Sequence, residues 1–254
     1  MPVEIQTEGH LAIITLNRPE ARNAINGEMA STMEACLDEY EDNPELWCAI
    51  LRAEGTVFSA GADLKEVSAG NGASLATRKG GFAGITRRDR TKPLIAAIQG
   101  TAVAGGCEIS LSCDLIVAST ETVFGLAEVK RSLAAGAGGL FRLPRALGMA
   151  TAMEVIMTGE PIPAQRAYEL GMVNKVVETE AVMTEARNLA DRILCNAPLA
   201  VFASRKVAAR ALMDSDDELW RASGGAMRGL AGTEDYKEGP LAFIEKRDPV
   251  WKGR

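Results

Sequence analysis

Four short apolar runs govern what this chain can fold into: LAIITL (11–16), WCAILRA (47–53), PLIAAIQG (93–100) and DLIVAS (114–119). Each has the length and residue types of a buried strand rather than a helix. Between the first two, a turn marked by Pro19 precedes residues 28–41, where Met29, Met33, Cys36, Leu37 and Tyr40 recur at helical spacing. The unit reads as a βα repeat. A glycine-started helix over 105–113 and a short strand around Val123 and Phe124 continue the pattern. Residues 67–92, rich in glycine and ending in a basic cluster, predict a long mobile loop or an irregular helical excursion that covers a pocket. Beyond Leu140 the pattern turns almost wholly helical, with helices expected near 139–146, 149–157, 163–170, 179–195, 198–213, 214–230 and 233–246. Strand–helix repeats followed by helices predict an α/β core, 1–195, with a C-terminal helical subdomain, 196–254.

Composition narrows the function classes. The chain has 254 residues, 47% of them hydrophobic, enough for a substantial core. Its formal net charge of −6 disfavours a nucleic-acid partner. No stretch approaches a membrane span, and the acidic start MPVEIQTEGH lacks the form of a signal peptide, so a cytoplasmic protein without a membrane partner is expected. Cys36, Cys48, Cys107, Cys113 and Cys195 are odd in number and never form CxxC, which predicts reduced thiols and no metal site. A single histidine, His10, reads as a surface strand residue and leaves acid–base chemistry to carboxylates, lysines or tyrosines.

The chemistry concentrates in two places. FSAGADLKE (58–66) and AVAGGCEIS (102–110) are glycine-containing turns that open helices. The first N–H groups of a helix have no internal partner, so two such turns facing one cavity could aim two donors at one oxygen; two ordinary strand-to-helix turns are the alternative. Glu108 stands in the small, apolar run AVAGGCEISLSCDLIVA, where an ionised carboxylate is costly unless paired or hydrogen-bonded. Glu128, in FGLAEVK, has similar surroundings. Facing one cavity, the two would repel and be desolvated, giving one general acid and one general base. Alternatively, each caps a helix or pairs with Lys130 or Arg131. GAGGLF (136–141) lacks the last glycine of GxGxxG, and no GxxxxGK[ST] occurs, so neither nucleotide fingerprint is met.

Seven ordered stretches together resemble the crotonase superfamily of enoyl-CoA hydratases and isomerases across nearly the whole chain: ITLNRPEARNAIN, FSAGADLKE, KPLIAAIQGTAVAGGCEISLSCDLIVAS, FGLAEVK, GAGGLFRLPRALG, MTGEPIPAQRAYELGMVNKVV and EGPLAFIEKRDPVWKGR. The tail and GGFAG (80–84) especially resemble carnitinyl-CoA dehydratases. The resemblance implies a crotonase (ClpP-like) spiral of ββα repeats. It places the thioester oxygen between the backbone N–H groups of Ala62 and Gly105, and Ala62, Asp63, Leu64 and Lys65 along the CoA thioester. Gly105 and Gly136 join the substrate site, Glu108 and Glu128 hold the catalytic water, and Phe243 and Lys246 reach toward CoA, often from a neighbouring subunit. It implies reversible hydration of a trans-2-enoyl-CoA to a 3-hydroxyacyl-CoA, with a carnitinyl-CoA dehydratase, an enoyl-CoA isomerase or a non-catalytic acyl-CoA-binding protein as alternatives. The expected assembly is a homotrimer or a hexamer as a dimer of trimers. No cofactor is implied, since coenzyme A is carried by the substrate. Ala127, Ser132 and Ala135 depart from the hydratase pattern, which commonly has proline before the second glutamate and G-x-x-P-G after it, so the acyl pocket is expected to differ.

Overall fold

The computed structural model describes residues 1–254. A six-stranded sheet is built from β1 (Val3–Glu8), β2 (Leu11–Leu16), β3 (Cys48–Ala53), β7 (Leu94–Ile98), β9 (Leu115–Ser119) and β12 (Lys175–Val177), in the order β1-β2-β3-β7-β9-β12. Only the β1–β2 hairpin is antiparallel. Its strands β2, β3, β7 and β9 are apolar on both faces, because helices or loops cover both. Alternate residues divide accordingly: Ile14, Leu51, Ala96 and Ile116 join the main core, whereas Ile13, Ile50, Ile95 and Val117 face α7 (Val182–Leu194). That helix answers with Val182, Ala186 and Ala190, four residues apart on one face.

A second sheet has β4 (Val57–Ser59), β8 (Thr101–Val103), β10 (Val123–Gly125) and β11 (Ile162–Pro163), in the order β11-β10-β8-β4, with β4, β8 and β10 parallel. The chain alternates between the sheets. β3 leads to β4 and α2 (Leu64–Ser68), β7 leads to β8 and α3 (Gly105–Ser110), and β9 leads to β10 and a single 3₁₀ turn, Glu128–Arg131. Each ββα pass therefore delivers its final turn to one edge of the small sheet. The turns after β4, β8 and β10 lie side by side at the carboxyl ends of three adjacent strands, the place where open parallel sheets expose ligand sites.

The remaining helices are α1 (Gly27–Asp42), α4 (Gly139–Leu147), α5 (Met149–Thr158), α6 (Ala164–Glu169), α8 (Pro198–Ala208), α9 (Asp216–Leu230) and α10 (Glu234–Glu245). Two details differ from the sequence reading. The stretch beyond Leu140 is not wholly helical, since β11 and β12 close an edge of each sheet with two and three residues, too few to show a period. The segment 67–92 contains a small hairpin, β5 (Ala76–Thr77) with β6 (Gly81–Phe82). No helix is long and apolar enough to cross a membrane.

Candidate active site

A cavity of about 1010 Å³ opens where the three ββα turns meet, and its walls include Ala62, Gly105, Glu108 and Glu128. Two close approaches shape it. Gly61 has φ +87°, and a Cβ there would stand 2.6 Å from the Gly105 nitrogen; a Cβ on Gly105 would stand 2.5 Å from Phe82 Cε1. Only residues without side chains let the two turns touch. Ala62 is held between two backbone bonds, Ile25 N–H to the Gly61 carbonyl and Asp63 N–H to the Ile25 carbonyl, while its own N–H meets no acceptor. Gly105 N–H, the first of α3, is likewise unpaired. The preceding Ala104 takes φ 50°, ψ −128°, a strained conformation for a residue with a side chain, and this turn aims the start of α3 at the cavity.

Glu108 lies one turn into α3 and is 3% exposed. Its Oε1 accepts from Ala137 N–H at 2.8 Å and Gly139 N–H at 2.9 Å, so it also ties down the loop that opens α4. Burial pushes its pKa up to about 7, against the lowering by these donors, and the nearby Glu128 adds to the rise. Glu128 takes neither of the partners its neighbours offer: Lys130 pairs with Glu160, and Arg131 donates to the Lys130 carbonyl. Its Oε2 is buried without a partner, and burial raises its pKa as well. Two protonatable oxygens therefore face one cavity with hydrogen-bonding capacity to spare. The helix-capping alternative describes half of Glu108 and none of Glu128.

Asp63 caps α2 by accepting from Lys65 N–H at 3.0 Å and pairs with Arg18 at 2.7 Å, and that guanidinium holds its carboxyl below the usual range. Leu64, Lys65 and Gly136 also line the cavity. Phe243 and Lys246 do not; Phe243 is 85% exposed on α10, and Lys246 ends that helix with φ 56°. The sequence reading assigns no site role to Thr86 and Arg87, nor to Phe82 beyond its place in GGFAG; all three line the cavity, with Phe82 against Gly105. For Thr86 and Arg87 the only signal is the glycine-rich segment 67–92 with its basic end. Asp114 binds Arg90, Arg205 and the Leu94 N–H outside the cavity.

A family model described as Enoyl-CoA hydratase/isomerase matches residues 6–254. A carnitinyl-CoA dehydratase of Citrobacter koseri is 40% identical over 252 residues, 97% of this chain and 96% of that protein. A short-chain-enoyl-CoA hydratase of Clostridium acetobutylicum is 39% identical over 250 residues, 96% of this chain and 95% of that protein. The crystal structure of an enoyl-CoA hydratase from Mycobacterium tuberculosis H37Rv superimposes with a TM-score of 0.95 at 40% identity, covering 100% of this chain and 99% of that one.

Proposed function

The chain belongs to the enoyl-CoA hydratase/isomerase (crotonase) family, and from that premise we propose that it is a hydro-lyase interconverting a trans-2-enoyl-CoA and a 3-hydroxyacyl-CoA. The observation that carries this reading is the pair Glu108 and Glu128, both raised in pKa by burial and both lining the cavity at the ends of adjacent parallel strands.

The thioester carbonyl oxygen sits between the Ala62 and Gly105 N–H groups, whose lack of internal acceptors supports the assignment. As water adds to C3, negative charge moves onto that oxygen, where fixed backbone dipoles stabilise it without reorganisation. The carboxylates hold the water. One removes its proton as the oxygen bonds to C3, and the other delivers a proton to C2, so one water is added and no charge is left over. The reverse steps eliminate water, which is the direction named for the carnitinyl-CoA dehydratase relative. Lys65, free of any carboxylate partner, and the Arg18–Asp63 pair serve the CoA end. Trp220, Phe243 and Ile244 stand exposed on α9 and α10, apolar surface that supports assembly into a trimer or a dimer of trimers.

The test follows absorbance of the conjugated enoyl thioester when crotonyl-CoA and longer 2-enoyl-CoAs are mixed with the protein and with Glu108→Gln and Glu128→Gln. Loss of the band that both substitutions suppress to a similar degree is expected. Strongly unequal effects would point to an isomerase, and binding without turnover to a non-catalytic acyl-CoA-binding protein.

A further inference from the structure

Thr86 and Arg87 occupy a cavity wall that the hydration chemistry does not use. Thr86 is 2% exposed, yet its Oγ1 has no hydrogen-bond partner. A buried hydroxyl in that state is costly, and an acceptor on a ligand would remove the cost. Beside it, the aliphatic stem of Arg87 lies on Gly81, so close that a Cβ there would stand 2.6 Å from Arg87 Cγ. The stem is thus laid along the β5–β6 turn. Nearby arginines are neutralised, Arg88 by Asp38 and Arg90 by Asp114, whereas the Arg87 guanidinium has no carboxylate partner.

The position of this wall is fixed by Arg142. Its Nη2 donates to the Thr86 carbonyl at 2.7 Å and its Nη1 to the Ala137 carbonyl at 3.3 Å, and Ala137 N–H in turn holds Glu108. Thr86 therefore belongs to the Glu108 side of the cavity. Arg18, Asp63 and Lys65 gather instead at the turn after β4, on the far side of Gly105. The cavity that holds Glu108 is thus lined as well by Thr86, whose hydroxyl has no partner, and by Arg87, an exposed side chain without a carboxylate partner.

We propose that the acyl group carries a carboxylate at its far end, which pairs with Arg87 and accepts from Thr86 Oγ1, so that the substrate class is the mono-CoA thioester of a short unsaturated dicarboxylic acid. The proposal rests on the hydratase reading for its choice of 2-enoyl substrates. A guanidinium fork matches a carboxylate in plane and in charge. Arg131, also lining the cavity without a carboxylate partner, adds positive potential, while the Lys130 charge is spent on Glu160. An acyl group ending in a quaternary ammonium would meet like charge here.

The experiment compares kcat/KM for trans-2-pentenedioyl-CoA, thioesterified at C1, with that for crotonyl-CoA, in the native protein and in Arg87→Gln. The ratio is expected to favour the carboxylated substrate and to fall roughly tenfold to a hundredfold in the variant. A ratio unchanged by Arg87→Gln overturns the proposal, including the case where both substrates weaken together, as they would if Arg87 held a CoA phosphate. If the native protein turns over neither thioester, the reaction assigned above fails alone. Calorimetric affinities for the saturated pentanedioyl-CoA and butanoyl-CoA then decide: a preference for the carboxylated ligand that Arg87→Gln abolishes sustains the proposal, and no preference overturns it.

Discussion

Gly139 donates its N–H to Glu108 Oε1 at 2.9 Å, which joins the start of α4 to the carboxylate of α3 and holds that carboxylate in place whatever its charge. Burial nevertheless lifts its pKa from an ordinary 4.5 to about 7. Between those values the folded protein keeps a proton that the unfolded chain has released. This group's contribution to stability is therefore full below about pH 4.5 and is lost as pH rises through about 7, by about 3 kcal/mol in all. Glu108→Gln keeps an acceptor for both N–H groups and cannot ionise. Urea unfolding from about pH 4.5 to about pH 8 should show the native protein losing stability relative to the variant, and parallel curves would contradict the assignment.

Glu128 differs, because its buried Oε2 has no partner to lose. Glu128→Gln should lower kcat roughly a hundredfold to ten-thousandfold and leave the melting temperature at neutral pH unchanged or higher. Such a trade is expected where a charge is buried for chemistry rather than for stability. A large drop in melting temperature would mean that the carboxylate has a structural partner.

The contact between Gly105 and Phe82 offers a paired test. Gly105→Ala drives its methyl into the Phe82 ring, 2.5 Å from Cε1, and moves the N–H assigned to the thioester oxygen. A fall in kcat of roughly a hundredfold is expected, with overpacking costing about 1–3 kcal/mol of stability. Phe82→Leu in the same chain should restore part of both. Unaltered turnover in Gly105→Ala alone would remove that N–H from the mechanism.

How far the sequence discloses this molecule depends on how much each residue is constrained by its neighbours. LAIITL, WCAILRA and PLIAAIQG announce central strands because both faces are buried, and Glu108 announces itself as a carboxylate among small apolar residues. VEIQTE does not, since β1 is an edge strand with only Val3 fully buried, and KVV is too short for any period. Thr86 and Arg87 read as part of a polar loop, TRRDRT, because their value lies in what they fail to contact, which only the folded arrangement reveals. Phe243 and Lys246 are the reverse case: the resemblance names them, but within this chain they line no part of the cavity.

Asp114 carries the last prediction. It sits between α3 and β9, accepts from Leu94 N–H at 2.8 Å, and pairs with both Arg90 and Arg205. Arg90 is 5% exposed, and the two guanidinium groups hold the Asp114 carboxyl below its ordinary range despite burial. The ionised form is thus the native one, and its stabilising effect is present above the unfolded-state pKa and lost as pH falls through the folded one. Asp114→Asn keeps an acceptor for Leu94 but leaves Arg90 buried without its counter-charge. Removing one member of such a cluster costs about 3–5 kcal/mol, because the remaining charge stays out of water. Urea unfolding should report that loss at neutral pH, shrinking as pH falls toward the carboxylate range, while turnover per folded molecule is retained because Asp114 lines no part of the catalytic cavity. A cost of only a few tenths of a kcal/mol, the scale of an exposed pair, would show that the Lys92 and Ser112 carbonyls, to which Arg90 already donates, suffice to hold its charge once Asp114 is neutral.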